Sequence, residues 1–210
     1  MFGSIDRDLF TDAQDLAAHT GWAHGFFVDY AKYGLGLFAL MLLAAWWRAR
    51  SGPRPSRLVA VVLWAGLAAL VVLALNQVVV HLVDRQRPFV ALPNVHPLLA
   101  HSRDPGFPSD HAVAVGAMAA GLWRYARRFG VVAAVLAVLM CFARVYDGVH
   151  WPADVTVGVL FGAVVGWFGW RPAAYLLVPV CAWVARGPLG GLVRDRRVSV
   201  SSAPTPLAGR

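Results

Sequence analysis

The stretch LVAVVLWAGLAALVVLALNQVVV, residues 58–80, carries no charged side chain and is long enough to cross a lipid bilayer. A membrane-spanning helix needs about 20 consecutive, predominantly apolar residues. Similar apolar runs lie on both sides of it, at 33–47, 112–123, 129–143, 155–170 and 173–185. This repetition predicts an all-α fold, a polytopic membrane helix bundle with five to six transmembrane helices.

The composition agrees with a chain that is embedded in a membrane. Of the 210 residues, 59% are apolar and only 14% are charged, whereas soluble domains carry about 25% charged residues. The length leaves room for one compact domain. We expect a polar or amphipathic segment at 1–24, the transmembrane domain at 25–186 and a basic tail at 187–210, which is expected to be largely disordered.

Arginines cluster at the ends of the apolar runs, at 48–57, 124–128 and 186–197. Short loops rich in Lys and Arg stay on the cytoplasmic side of a membrane. Topology therefore explains the net charge of +8, and no nucleic-acid partner is expected. By alternation, segments 84–108 and 144–152 are predicted to share the extracytoplasmic face.

Prolines, charges and the limits of the apolar runs predict where the helices begin and end. A short amphipathic helix at the membrane surface and five spans are expected, at 5–20, 25–48, 57–83, 109–124, 129–146 and 152–170. Pro152 suits the first turn of the fifth span, where its missing N–H costs nothing. The last run, 173–185, is interrupted by Pro179. It is interpreted as a sixth span, with a surface-lying or re-entrant segment as the alternative.

Three polar clusters fall on the predicted extracytoplasmic face. They are DRQRP at 84–88, PSDH at 108–111 and ARVYDGVHWPAD at 143–154. Ionisable groups at the ends of membrane helices are candidates for function. Within these clusters, Asp84 and Asp147 are expected to be solvated loop carboxylates without a role in the site.

The remaining residues of these clusters suit phosphoryl transfer to a histidine. Arginines from separate segments offer forked, permanently charged donors for phosphate oxygens. The first turn of the helix after Pro108 presents free N–H groups, and Ser109 adds a hydroxyl. Asp154 follows His150 by four residues, so its carboxylate can fix one ring nitrogen and leave the other as the nucleophile. His111 can then protonate the leaving oxygen.

This chemistry needs no metal, and none is expected. The spacings of His81, His96, His101 and His111 match no familiar ligand pattern. Structural interpretations of the same residues stay open: His111 as a satisfied helix-start histidine, His150 with Asp154 as a capping pair, and Arg87 or Arg85 as interface arginines.

The motifs RP at 87–88, PSDH at 108–111 and Arg144-x5-His150-x3-Asp154 resemble the three signature motifs of the type 2 phosphatidic acid phosphatase (PAP2) superfamily. The resemblance covers residues 25–172. It implies the helix bundle that this superfamily shares with acid chloroperoxidases, and a metal-independent, membrane-embedded phosphatase without cofactor.

Three positions depart from the usual motifs, and two of these departures are typical of one group within the superfamily. Val80 occupies the position at which the first motif usually has a lysine, Asp110 replaces the usual glycine, and Ala143 replaces a serine. The first two departures, together with RPFV at 87–90 and HPLLAH at 96–101, are similar to the bacitracin-resistance type of undecaprenyl-diphosphate phosphatase.

By this resemblance, His150 is the nucleophile, Asp154 its orienting carboxylate and His111 the acid. The implied phosphate-binding residues come from all three motifs: Arg87, Arg144, Ser109, Asp110 and Pro108. Asp110 either orients a ring or a water molecule, or caps its helix. Arg85 or Arg103 is a hypothetical contact for a second phosphate.

The expected function is hydrolysis of undecaprenyl diphosphate to the monophosphate and inorganic phosphate through a phosphohistidine, at the outer face of a bacterial plasma membrane. Peptidoglycan synthesis would use the recycled carrier lipid. One alternative is another lipid phosphate substrate, such as phosphatidylglycerophosphate, phosphatidate or a phosphoribosylated polyprenyl lipid. Another is a non-catalytic, lipid-binding membrane protein. The oligomeric state is left open.

Overall fold

A computed structural model of the protein describes residues 3–100 and 104–195, and no strand occurs within these ranges. The elements are α1 (Ser4–His19), a 3-10 turn (Gly21–Ala23), α2 (His24–Tyr33), α3 (Leu35–Ala49), α4 (Pro55–Val83), α5 (Pro88–Ala91), α6 (Asp110–Tyr125), α7 (Arg127–Tyr146), α8 (Pro152–Phe168), α9 (Trp170–Val184) and a final 3-10 turn (Pro188–Leu192). The all-α prediction is confirmed.

Two helical stretches of the described chain are long and apolar enough to cross a membrane, Pro55–Ala91 and Arg127–Tyr146. Two pairs of consecutive helices are also long and apolar enough when each bent pair is taken as one span, which gives up to four spans in the described chain. These pairs are Gly21–Tyr33 with Leu35–Ala49, bent by 54°, and Pro152–Phe168 with Trp170–Val184, bent by 49°. The five to six spans expected from the sequence stay a prediction.

Helix α6 lies at the centre of the bundle, between α4, α7 and α8. Its residues 112–119 are all buried, and with 16 residues it is shorter than the helices around it that could span. The central position explains why its N-terminus, which carries PSDH, lies within reach of three other elements.

A glycine stripe holds α8 against α6. Gly158, Gly162 and Gly166 recur every four residues on the face of α8 that meets α6. A Cβ at Gly162 would lie 2.0 Å from the carbonyl oxygen of Val113, and one at Gly166 would lie 2.4 Å from that of Ala117. Small residues at such spacing let helix backbones approach closely in membranes. The contact fixes the N-termini of α6 and α8 relative to each other.

Proline and side-chain capping set the ends of the helices near the site. Pro152 occupies the first turn of α8, as predicted, and the N–H of Trp151 donates to Asp154 Oδ2 at 3.0 Å. Helix α4 ends at Asp84, which adopts a left-handed conformation with φ of 46°. Pro179 lies inside α9 without ending it.

Helix α1 confirms the expected N-terminal helix, and it has a buried and an exposed face. Its inner face buries Asp6, Phe10 and Ala17, whereas Leu9 and Leu16 are exposed. Phe10 packs on the indole of Trp151 with 5.0 Å between ring centroids. The inner face of α1 therefore covers the turn that connects α7 to α8.

Candidate active site

The ring of His150 is buried in the turn between α7 and α8, with an exposed fraction of 2%. Its Nδ1 lies 3.0 Å from the carbonyl oxygen of Gly106 and 3.5 Å from Asp154 Oδ2. Because a carbonyl oxygen only accepts, Nδ1 carries the proton in the neutral ring. The other nitrogen, Nε2, then carries the lone pair, which is what a nucleophile requires.

Two guanidinium groups converge on this second nitrogen. Arg87 Nη1 lies 3.0 Å from His150 Nε2, and Arg144 Nη2 lies 3.5 Å from it. Both arginines are buried. Arg87 is also fixed by backbone oxygens, since its Nε donates to Asp104 at 2.8 Å and its Nη1 to Val149 at 3.2 Å. Two buried positive charges beside one ring nitrogen form a strong site for an anion.

A cavity of about 650 Å³ opens beside these groups. It is lined by residues of all three motifs, which include Arg87, Pro108, Asp110, His111, Arg144 and His150, and by the C-terminal part of α4. Val80 lies in that α4 wall together with Gln77 and His81. The position that lacks the expected lysine thus gives the cavity an apolar patch.

Ser109 and Asp110 are held by neighbouring helices. Ser109 is fully buried, and its N–H donates to the backbone oxygen of Asp154 at 3.1 Å. Its hydroxyl has no hydrogen-bond partner in the part of the chain that the structure describes. Asp110 Oδ1 accepts from Asn76 Nδ2 at 2.8 Å and from Gln77 Nε2 at 3.3 Å.

The amides of α4 were not anticipated from the sequence as part of the site. Asn76 is fully buried and donates to the carbonyl oxygen of Pro108 at 3.0 Å as well as to Asp110. The sequence feature that could have identified these amides is the Asn-Gln pair that interrupts the apolar run at 58–80. A buried amide inside such a run needs a polar partner.

Arg85 does not have the position expected of a phosphate ligand. Its Nη1 donates to Asp154 Oδ1 at 2.6 Å, and its Nη2 pairs with Asp6 Oδ2. It is absent from the residues that line the cavity. The guanidinium thus joins two carboxylates behind His150, and the assignment of Arg85 to substrate binding has no support in this geometry. The alternative, Arg103, lies outside the described residues.

The expectation for Asp147 was wrong, because this carboxylate is buried rather than solvated. Neither of its oxygens has a hydrogen-bond partner among residues 3–100 and 104–195. Burial raises the pKa of Asp147 from 3.8 to about 6, and the positive charges of Arg144 and His24 oppose this rise. Asp84 is exposed, as expected, although it also borders the cavity.

Within the described ranges, no group of three or more His, Cys, Asp or Glu side chains is arranged to hold a metal ion. His101 lies outside these ranges. Metal independence therefore stays a prediction that rests on the resemblance and on the chemistry of the residues.

Comparisons with known proteins show which family and which relatives the chain resembles. The family model described as PAP2 superfamily matches residues 61–177. The chain is 28% identical to undecaprenyl-diphosphatase BcrC of Bacillus subtilis, over 80% of this chain and 83% of that protein. It is 35% identical to a putative undecaprenyl-diphosphatase, YbjG, of Escherichia coli, over 78% of this chain and 80% of that protein.

A shorter similarity is to a phosphatase named for a different lipid. The chain is 38% identical to a decaprenylphosphoryl-5-phosphoribose phosphatase of Mycobacterium tuberculosis, over 49% of this chain and 55% of that protein. No solved structure matches significantly.

Proposed function

Because the chain belongs to the PAP2 superfamily, a family of phosphatases, we propose that it hydrolyses a polyprenyl diphosphate, of the undecaprenyl type, to the monophosphate and inorganic phosphate. The observation that carries the proposal is the pair of guanidinium groups at His150 Nε2. The similarity to undecaprenyl-diphosphatases over about four fifths of the chain supports the choice of lipid.

In the proposed reaction, His150 Nε2 attacks the terminal phosphorus. A P–N bond forms while the bond from phosphorus to the bridging oxygen breaks, and His111 gives a proton to that oxygen as the lipid monophosphate leaves. Water then attacks the phosphorus of the phosphohistidine, and His111 takes up a proton from the water. A new P–O bond forms while the P–N bond breaks, which releases inorganic phosphate and restores His150 Nε2. Phosphoryl transfer depends mainly on positioning and charge neutralisation, which Arg87 and Arg144 supply.

The lipid chain of the substrate determines where the active site must lie relative to the membrane. A polyprenyl chain must stay in the bilayer while its head group reacts, so the reaction requires a cavity at the membrane surface with both polar and apolar walls. The cavity between α4 and the N-terminus of α6 has walls of both kinds, which supports the proposal. We place it on the extracytoplasmic face of a bacterial plasma membrane, where the product would re-enter cell-wall synthesis.

The test compares phosphate release from several lipids by purified protein in detergent micelles. We expect undecaprenyl diphosphate to be turned over at least tenfold faster than phosphatidate and phosphatidylglycerophosphate. His150→Ala should abolish release, and EDTA should leave the wild-type rate unchanged. Preferential turnover of glycerolipids would contradict the substrate, and loss of activity with EDTA that magnesium restores would contradict the metal-free chemistry.

A phosphoribosylated polyprenyl lipid is a second candidate substrate. The similarity to the mycobacterial phosphatase favours it, because that match is the higher in identity although it covers only half of the chain. Decaprenylphosphoryl-5-phosphoribose in the same assay separates the two candidates, since the faster substrate identifies the head group.

The phosphohistidine has a test of its own. Protein mixed with substrate labelled in the terminal phosphate and quenched in alkali should retain label on His150. Label that is absent at short times, while phosphate is still released, would indicate direct attack by water.

A further inference from the structure

Helix α1 reaches the candidate site through one carboxylate, Asp6, which is 8% exposed on the inner face of this helix. Asp6 Oδ1 accepts from the N–H of Ala153 at 2.8 Å, in the first turn of α8. Its other oxygen, Oδ2, pairs with Arg85 Nη2. The contacts join residues that are far apart in the sequence but adjacent behind His150.

Arg85 is held between two carboxylates and an aromatic ring. Its second terminal nitrogen, Nη1, donates to Asp154 Oδ1 at 2.6 Å, and its guanidinium lies 5.2 Å from the ring centroid of Trp151. A planar guanidinium can serve two acceptors at once, which an ammonium group cannot do in the same geometry. The position of Arg85 therefore depends on Asp6 as well as on Asp154.

Asp154 connects Arg85 to the imidazole ring of His150. Its Oδ1 accepts a hydrogen bond from Arg85. Its Oδ2 accepts from the N–H of Trp151 at 3.0 Å and lies 3.5 Å from His150 Nδ1. The side chain is fully buried, so the energy of each of these contacts is little screened by water.

We propose that Asp6 is a positioning residue for the phosphatase reaction, acting on His150 through Arg85 and Asp154. The proposal deepens the proposed function and rests on it. Helix α1 is thus part of the catalytic apparatus, although it carries none of the three motifs.

The chain of contacts predicts which kinetic constant depends on Asp6. Without the carboxylate of Asp6, Arg85 loses an acceptor at Nη2, and the guanidinium that holds Asp154 Oδ1 is less well positioned. Arg87, by contrast, is fixed by the backbone oxygens of Asp104 and Val149. Attack by the imidazole should therefore suffer while phosphate binding persists.

Asp6→Asn is the direct test, measured with the lipid phosphate that the wild type turns over fastest. Changes to outer partners of an active group typically cost about tenfold or more. We expect kcat to fall by about tenfold and KM to stay within about twofold. Asp8→Asn, which changes an exposed carboxylate on the same helix, is the matched control and should retain wild-type kcat.

A double-mutant cycle tests the route through Arg85. Arg85→Lys should lower kcat by itself, and the double variant with Asp6→Asn should be little worse than Arg85→Lys alone, because both changes break one chain of contacts. Fully multiplicative losses would overturn the route. Asp6→Glu, which keeps the charge, should retain more activity than Asp6→Asn.

An NMR measurement that requires no catalysis tests this inference independently of the proposed function. In protein labelled with ¹⁵N-histidine, the ring signals of His150 are identified by their loss in His150→Gln. We expect Asp6→Asn to shift these signals and Asp8→Asn to leave them unchanged. Unshifted signals overturn the inference even if the protein is an active phosphatase. Shifted signals in a protein without activity toward any lipid phosphate support the contact chain and overturn the proposed function instead.

Discussion

At the scale of single residues, Arg87 and Arg144 reach the same ring nitrogen from separate segments of the chain. Both side chains are buried, and their terminal nitrogens lie 3.0 Å (Arg87 Nη1) and 3.5 Å (Arg144 Nη2) from His150 Nε2. Fixed donors aimed at a reacting phosphate are worth more in such a buried site than in water.

We therefore predict that Arg87→Gln and Arg144→Gln each lower kcat/KM by about 100-fold or more. The control is Arg128→Gln, an exposed arginine at the other end of the bundle, which should retain wild-type kinetics. Steady-state phosphate release measures all three variants. Equal, small losses in all of them would contradict the role of the two buried arginines.

Asp147 makes the stability depend on pH. Its pKa is raised from 3.8 to about 6 because burial disfavours the charged form. A raised carboxyl pKa contributes stability below its unfolded value, and this contribution is lost as the pH rises through the folded value. The contribution is therefore present near pH 4 and is lost by about pH 7.

We predict that Asp147→Asn removes this dependence. The variant and the wild type should have similar midpoints of thermal unfolding at pH 4. At pH 7 the variant should be more stable by roughly 5 °C, because it buries no charge at this position. The comparison requires thermal scans of both proteins in one detergent. A difference between the midpoints that does not change with pH would contradict the assignment.

At the scale of the elements, the contact between α6 and α8 fixes the geometry of the site. Ser109 to His111 stand at the N-terminus of α6, and His150 to Asp154 stand at that of α8. The glycine stripe of α8 leaves no space for a methyl group between the two backbones. Any separation of these helices also separates the nucleophile from the acid.

We predict that Gly162→Ala destabilises the protein and impairs turnover together. The added Cβ would lie 2.0 Å from the carbonyl oxygen of Val113, and overpacking of this kind costs about 1–3 kcal/mol or more. Gly36→Ala in α3 is the control, because nothing lies within 4 Å of a Cβ there. In thermal unfolding and phosphate-release measurements, Gly162→Ala should be less stable and less active than Gly36→Ala. Equal stability and activity of the two variants would contradict the role of the glycine stripe.

Helix boundaries were predicted well wherever a local signal sets them. Helix α4 runs from Pro55 to Val83 where 57–83 was expected, and α8 begins at Pro152 as expected. The break between α2 and α3 was missed, and the sequence had indicated one span at 25–48. Gly34 lies at this break, where a Cβ would meet the side chain of Met140 at 2.7 Å. The approach of α7 to this glycine is a tertiary contact, which a local pattern does not reveal.

At the scale of the whole molecule, the three motifs meet at one end of the bundle. Arg87, His111, Arg144 and His150 were all expected at a single site, and all four line one cavity. Asp6 and Gly106 were not expected there. Neither the carbonyl of Gly106 nor the carboxylate of Asp6, on a helix more than a hundred residues before His150, follows a spacing rule. Only the fold brings Gly106 to the ring and Asp6 to Arg85 behind it.

The orientation of the molecule in the membrane is a prediction at this scale. In a background with Cys141→Ala and Cys181→Ala, Asn94→Cys should react with a membrane-impermeant maleimide in intact spheroplasts. Ser51→Cys, at the opposite end, should react only after permeabilisation. Both positions are exposed. The reverse labelling pattern would place the cavity on the cytoplasmic side.

The apolar patch at Val80 bears on how the substrate range of such a protein changes. The N-terminus of α6, whose backbone interlocks with that of α8, forms one wall of the cavity, and Arg144 and His150 form another. Substitutions there disturb the reacting groups themselves. The wall from α4 contributes Gln77, Val80 and His81 on a neighbouring helix. A library aimed at new lipid head groups would therefore randomise this wall and leave the interlocked pair untouched.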